Sequence, residues 1–126
     1  KNIKSKNYKK IKEYSKIALD LASSDSVNYY HSLHTYASCL NYVGEYEESY
    51  NYYNKSLKYL KASSIDGKEK LVLQFKLQSA HVLSKFDLQK AIPKVKVTLD
   101  KMIKSKYSNE LKSLINKCKK ILKDNK

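Results

Sequence analysis

The chain has 126 residues, with 26 basic and 12 acidic side chains, a formal net charge of +14, and lysine at every basic position. That length suits one domain with its own core, and two glycines, one proline and two cysteines far apart argue for an all-α protein with short connections and against a disulfide framework. No apolar run reaches the eighteen or so residues a membrane helix needs, so a cytoplasmic protein with free thiols is expected. The chain opens inside a lysine-rich helical segment without a methionine, so residues 1–126 are expected to be one domain of a longer protein.

From Ser5 to Ala22 the apolar residues Ile11, Tyr14, Ala18 and Leu21 recur at steps of three and four. They predict an amphipathic helix whose opposite face carries Lys9, Lys10, Lys12 and Lys16. Its end, KIALDLASS, reads as the second helix of a repeat, and Ser23, Ser24, Asp25 and Ser26 offer N-caps for the next helix.

Two helices folded back across Gly44 are predicted between Tyr30 and Ser63. Leu33, Tyr36, Ala37 and Leu40 share one face of the first, and Tyr46, Ser49, Tyr50, Tyr53, Ser56 and Leu57 share one face of the second. Glycine tolerates the left-handed backbone that ends a helix, and Glu45, Glu47 and Glu48 suit the positive end of the helix that restarts. Ala37, Ser49 and Ser56 are small where two helices must approach closely.

This stretch resembles a tetratricopeptide repeat, whose pattern W-x2-L-G-x2-Y, A-x3-F, P is met by Leu33, Tyr36, Ala37, Leu40, Ser49, Tyr53 and Lys61, with GEYEES resembling the family's turn. Leu33 replaces the Trp, Ala37 the Gly and Lys61 the helix-ending Pro, so the second helix is expected to run past its usual stop.

Asp66 and Glu69 have capping-box spacing and predict a helix from about Lys68 to Lys85, with Gly67 at its start. Leu71, Val72, Leu73, Phe75, Leu77, Ala80, Val82 and Leu83 make that helix apolar on more than one side, as for a centrally buried element. Phe75, Ser79, Val82, Leu88, Ala91, Val95 and Thr98 give a second, degenerate repeat 42 residues after the first, with Phe86 where the turn glycine would be.

Asp87 is a candidate cap for a helix with Leu88, Ala91, Ile92, Val95, Leu99, Met102 and Ile103 on one face; Pro93 predicts a kink or a restart near Gln89. Within it, Lys94 to Thr98 alternates like a strand, but its flanks continue the helical stripe. A last helix from about Ser108 to Lys123 carries Leu111, Leu114, Ile115, Cys118, Ile121 and Leu122. The fold class is thus all-α, antiparallel helical hairpins stacked as a short solenoid of about six helices, as the resemblance implies.

No phosphate loop, nucleophile elbow or paired-carboxylate motif is present, and Cys39 reads as a buried thiol, so no enzyme and no cofactor are expected. His31 and His34 share a helix face and His81 could lie near them, yet no Cys or carboxylate stands at metal-ligand spacing beside them. Nine of the twelve tyrosines fall between Tyr29 and Tyr59; Tyr36, Tyr46, Tyr50 and Tyr53 are expected to pack the hairpin, leaving Tyr42 and Tyr52 to solvent or a ligand.

The resemblance implies a protein- or peptide-binding module whose concave groove is lined by the first helix of each repeat. By position these residues are His31, His34, Thr35, Ser38, Asn41 and Tyr42, then Leu73, Lys76, Leu77 and Ala80. The alternative for the groove is that a neighbouring helix fills it. Thr35, Leu73 and Leu77 stand where chaperone-binding members carry their Asn and basic clamp, so an acidic C-terminal chaperone peptide is not an expected ligand.

Two further readings stay open: the peptide-sensing half of a regulator, and a basic nucleic-acid-associated protein. For the latter, the lysines of the first helix (Lys4, Lys6, Lys9, Lys10, Lys12, Lys16) and of the last (Lys112, Lys117, Lys119, Lys120, Lys123) would attract phosphate weakly and non-specifically. Seven lysines precede Ile17, none lies between Ile17 and Asn54, and sixteen follow Lys61. The centre is therefore acidic and tyrosine-rich between basic flanks.

Overall fold

A computed structural model describes the backbone of residues 2–125 and the side chains of residues 7–125. Lys4 and Lys6 of the predicted basic face lie outside the described side chains. Six helices follow one another: α1 Asn2–Leu21, α2 Tyr29–Tyr42, α3 Tyr46–Ala62, α4 Lys68–Leu83, α5 Leu88–Lys104 and α6 Lys112–Asp124. Each packs against the next, and α4 also meets α6. The strand-like run Lys94 to Thr98 is helical, inside α5.

The turn between α2 and α3 follows from Gly44, whose φ of 88° places it in the left-handed region. The amide of Glu45 donates to Leu40 O at 2.9 Å and that of Gly44 to Asn41 O at 3.2 Å, satisfying carbonyls that the helix end would otherwise orphan. Immediately after it, Ser49 is wholly buried and its Oγ donates to Ala37 O at 2.6 Å. Two small residues facing each other let the backbones of α2 and α3 approach, and the hydroxyl turns that approach into a bond across the hairpin.

The buried positions of α3 recur in α5 at the expected interval: Ser49 with Ala91, Tyr53 with Val95, Ser56 with Thr98, and Leu60 with Met102. In α2 and α4 the matching pairs are Leu33 with Phe75, Ala37 with Ser79 and Leu40 with Val82. The chain therefore uses one packing plan twice. Leu77, Ala80, Val95, Leu99, Met102, Ile115 and Cys118 make the C-terminal core, while Leu19, Leu33, Tyr36 and Leu40 make the N-terminal one. Ala37, Tyr53 and Val82 join them. Burial pushes the Cys118 thiol up to about 12, so it stays protonated within the core.

Four local expectations need correction. The Asp66–Glu69 capping box does not form; Gly67, at φ 71°, is the N-cap of α4 and offers no side chain. Helix α2 starts at Tyr29 rather than beside Ser23–Ser26, because Ser23 Oγ accepts from the Asp25 amide and Ser26 Oγ from the Asn28 amide, closing local turns instead. Of the kink or restart expected at Gln89 to Pro93, the restart is corrected: helix α5 is continuous, with both Gln89 and Pro93 at the exposed surface, where solvent can satisfy the carbonyl the proline cannot reach. By contrast Asp87 does cap α5, its carboxylate accepting from the Lys90 amide at 3.3 Å.

The fourth correction concerns α1, whose expected inner face points outward: Ile11 is 45%, Tyr14 67% and Leu21 82% exposed. Its inner face is Tyr8, Lys12, Ser15 and Leu19, equally well spaced for a helix. Tyr8 stacks on Tyr42 with ring centres 4.3 Å apart, Lys12 pairs with Glu45, and Ser15 Oγ lies 3.3 Å from Cys39 Sγ. The neighbour's chemistry selected the face.

Candidate binding recess

A recess of about 370 Å³ opens where the C-terminal halves of α2 and α4 meet α3 and α6. Ser38, Asn41 and Tyr42 reach it from α2, Tyr46 and Tyr53 from α3, Gln78, His81, Val82 and Lys85 from α4, and Leu114 and Lys117 from α6. The walls are rigid because their polar atoms are tied to one another. Ser38 Oγ and Tyr53 OH lie 3.0 Å apart, and His34 Nε2–H donates to Gln78 Oε1 at 2.7 Å. Lys85 Nζ donates to Asn41 Oδ1 at 2.9 Å and sits 4.9 Å from the centre of the Tyr46 ring.

His34 is less a ligand than a strut. Its ring stacks on Phe75 with centres 4.1 Å apart and meets Tyr53 edge-on at 5.4 Å. Burial lowers its pKa, which keeps it the neutral donor that Gln78 requires.

Charge in the recess is unbalanced. His81 is pushed down to about 4, first by burial and then by Lys85 and Lys117, and Lys85 is itself lowered by burial and by Lys117. Among the described residues no carboxylate lines the recess.

The ten residues carried over by resemblance are distributed over several places. Ser38, Asn41 and Tyr42 line the recess, with His34 in its wall. His31 and Thr35 look instead into a groove of about 420 Å³ against α1, beside Ile11, Tyr14 and Ala18. Lys76 and Ala80 border a shallow apolar hollow of about 440 Å³ between α3, α4 and α5. Leu77 is fully buried, and Leu73 packs half-buried on the same C-terminal core.

On α4 the residues that line this recess are Gln78, His81, Val82 and Lys85, whereas Leu73, Lys76, Leu77 and Ala80 lie elsewhere. Helix α6 explains the difference, since Ile115 and Cys118 pack on Leu77 and Ala80 and close off that face. A basic residue at the expected helix end, Lys85 three positions after Val82, was the available signal, but only the position of α6 gives it meaning.

Among the tyrosines, Tyr36 and Tyr53 are buried, Tyr46 and Tyr50 half-buried, and Tyr42 largely exposed. Tyr52 is packed edge-on against Tyr36 at 4.8 Å rather than free. Cys39 and Cys118 are both buried free thiols. Among the described residues no three His, Cys, Asp or Glu side chains gather as a metal set, and no helix is long and apolar enough to cross a membrane.

No protein-family model, curated protein or solved structure matches the chain.

Proposed function

We propose that the chain is a non-catalytic scaffold or adaptor module of tetratricopeptide type, which takes an extended segment of a partner protein into the recess between α2, α4 and α6. The observation that supports this reading is the convergence of polar and aromatic side chains from four helices on one recess. Tyr42 and Tyr46 offer stiff aromatic surface that loses little entropy on contact, and neighbouring amides offer hydrogen bonds to a peptide backbone. A cytoplasmic setting fits two cysteines kept as buried thiols. The sensing half of a regulator would use the same recess for a signalling peptide.

A second reading rests on the charge of +14: a nucleic-acid-associated protein. The basic ends give it little geometric focus, because α1 packs on α2 whereas α6 packs on α5 and α4.

One experiment separates the two. The labelled protein is titrated with a random-sequence peptide pool and, separately, with an RNA oligonucleotide, and amide shifts are mapped. Peptide shifts are expected at Asn41, Tyr42, Gln78 and His81. RNA contacts are expected to be diffuse and to vanish between about 50 and about 200 mM salt, as for purely electrostatic binding. RNA binding that is sequence-selective and survives the higher salt would replace the peptide reading.

A further inference from the structure

We propose that the recess is built for an anionic side chain, so that the partner segment is acidic and places a carboxylate between Lys85, Lys117 and the amides of Asn41 and Gln78. This rests on the peptide-module reading and adds the chemistry of the ligand.

The first observation is which hydrogen-bonding atoms remain free. Gln78 Oε1 accepts from His34 and Asn41 Oδ1 from Lys85, so one of the two lone pairs on each amide oxygen is engaged while both N–H donors of each amide stay free of protein partners among the described residues. The Ser38 and Tyr53 hydroxyls share one hydrogen bond, which leaves one of their two O–H donors free. What the recess still has to offer is therefore mostly donation, from two amides, one hydroxyl, an imidazole N–H and two ammonium groups. An acceptor with several lone pairs suits it, and a carboxylate is the protein side chain that has them.

The second observation is the placement of charge. Among the described residues the ion pairs are Lys12 with Glu45, Lys16 with Asp20, Lys70 with Glu110, Lys90 with Asp87 and Lys104 with Asp100. Lys85 and Lys117 appear in none of them. Among the described residues Lys85 meets a neutral oxygen and the face of Tyr46. Burial first and then repulsion from Lys117 disfavour its charge, burial and then Lys85 and Lys117 disfavour that of His81, and an incoming anion offsets the repulsion at both.

The convergence of these groups on one point, flanked by Val82, Leu114, Tyr42 and Tyr46, fits one acidic side chain between apolar neighbours better than a phosphate backbone, which needs cations along a track.

Binding would be linked to protonation. An anion beside His81 raises its pKa, so between about 4 and that raised value the complex holds more protons than the free protein and binding tightens as pH falls through that window. His81 also faces Lys120 and Asp124 of α6 across an adjoining hollow, Lys85 from its own helix, Lys117 of α6, and the phenols of Tyr42, Tyr46 and Tyr53 from α2 and α3. All of these belong in the titration control.

The probes are a short blocked peptide alternating glutamate with leucine, its glutamine counterpart, and an RNA oligonucleotide, read by calorimetry and by His81 ring resonances. The glutamate peptide is expected to bind about tenfold tighter, and Lys85→Met or Lys117→Met to lower the glutamate peptide's affinity about tenfold more than the glutamine peptide's. Both lysines are exposed, so the variants should fold. His81→Gln should abolish the tightening between pH 7.5 and pH 5.5. Equal binding of the glutamine peptide in the recess would overturn the anionic inference and leave the module standing. RNA seated in the recess, with no binding of either peptide, would overturn both.

Discussion

Ser49 and Gly44 show how much a single small side chain decides here. Gly44 has nothing within 4 Å of where a Cβ would stand, so the obstacle to alanine is conformational rather than steric: φ 88° is left-handed. A side chain there costs about 1–2 kcal/mol, which outweighs the ~0.4–1 kcal/mol gained from stiffening the unfolded chain. Ser49 is the steric case. Removing its hydroxyl with alanine forfeits one hydrogen bond, about 1 kcal/mol, because the close approach to Ala37 survives. Valine loses the bond and also wedges α2 from α3, adding about 1–3 kcal/mol of overpacking. Urea unfolding should rank the variants Ser49→Val below Ser49→Ala below the parent. A valine variant as stable as the alanine one would mean that the hairpin is not tightly closed at this point.

At the scale of the element, α1 marks the limit of what periodicity reveals. Two stripes at helical spacing run along it, one of Ile11, Tyr14, Ala18 and Leu21 and one of Tyr8, Lys12, Ser15 and Leu19. The apolar one lost because α1 packs on α2 and the turn after it, where Glu45, Cys39 and Tyr42 match Lys12, Ser15 and Tyr8. A stability test follows directly. Leu21→Ser, on the exposed stripe, should change stability by no more than about 0.5 kcal/mol, whereas Leu19→Ala should cost about 2 kcal/mol or more. The reverse ranking would place the wrong face of α1 inward.

The central hairpin was legible for the opposite reason. Gly44, Ala37 and Ser49 carry local instructions that need no knowledge of a third helix. The two-fold use of one packing plan was legible too, since it depends on which residues are small or apolar at a fixed interval. The recess was legible on α2 but not on α4. Which face of α4 stays open is decided by α6 lying over Leu77 and Ala80, a contact between residues more than thirty positions apart in sequence.

For the whole molecule, a chain with net charge +14 has two separate reasons to lose stability in acid, and they can be told apart. One is general: as carboxylates protonate, the surface becomes more positive and repels itself. The other is local. His81 has a folded pKa of about 4 against an ordinary value of 6.5, and His34 is shifted in the same direction by burial. Between those values the unfolded chain binds the proton and the folded chain does not. The stability from keeping His81 neutral is therefore complete above pH 6.5 and is lost progressively as pH falls toward about 4. Because the ring is partly open to solvent, the effect should be modest. Moderate salt, about 0.5 M, shortens the reach of surface charge to a few ångströms and should restore the general part while leaving most of the local part. His81→Gln should do the converse, flattening the melting temperature between pH 6.5 and pH 4.5 without altering the salt response. If salt alone flattens that profile, or if His81→Gln leaves it unchanged, the imidazole does not sit in the cationic wall of the recess as placed here.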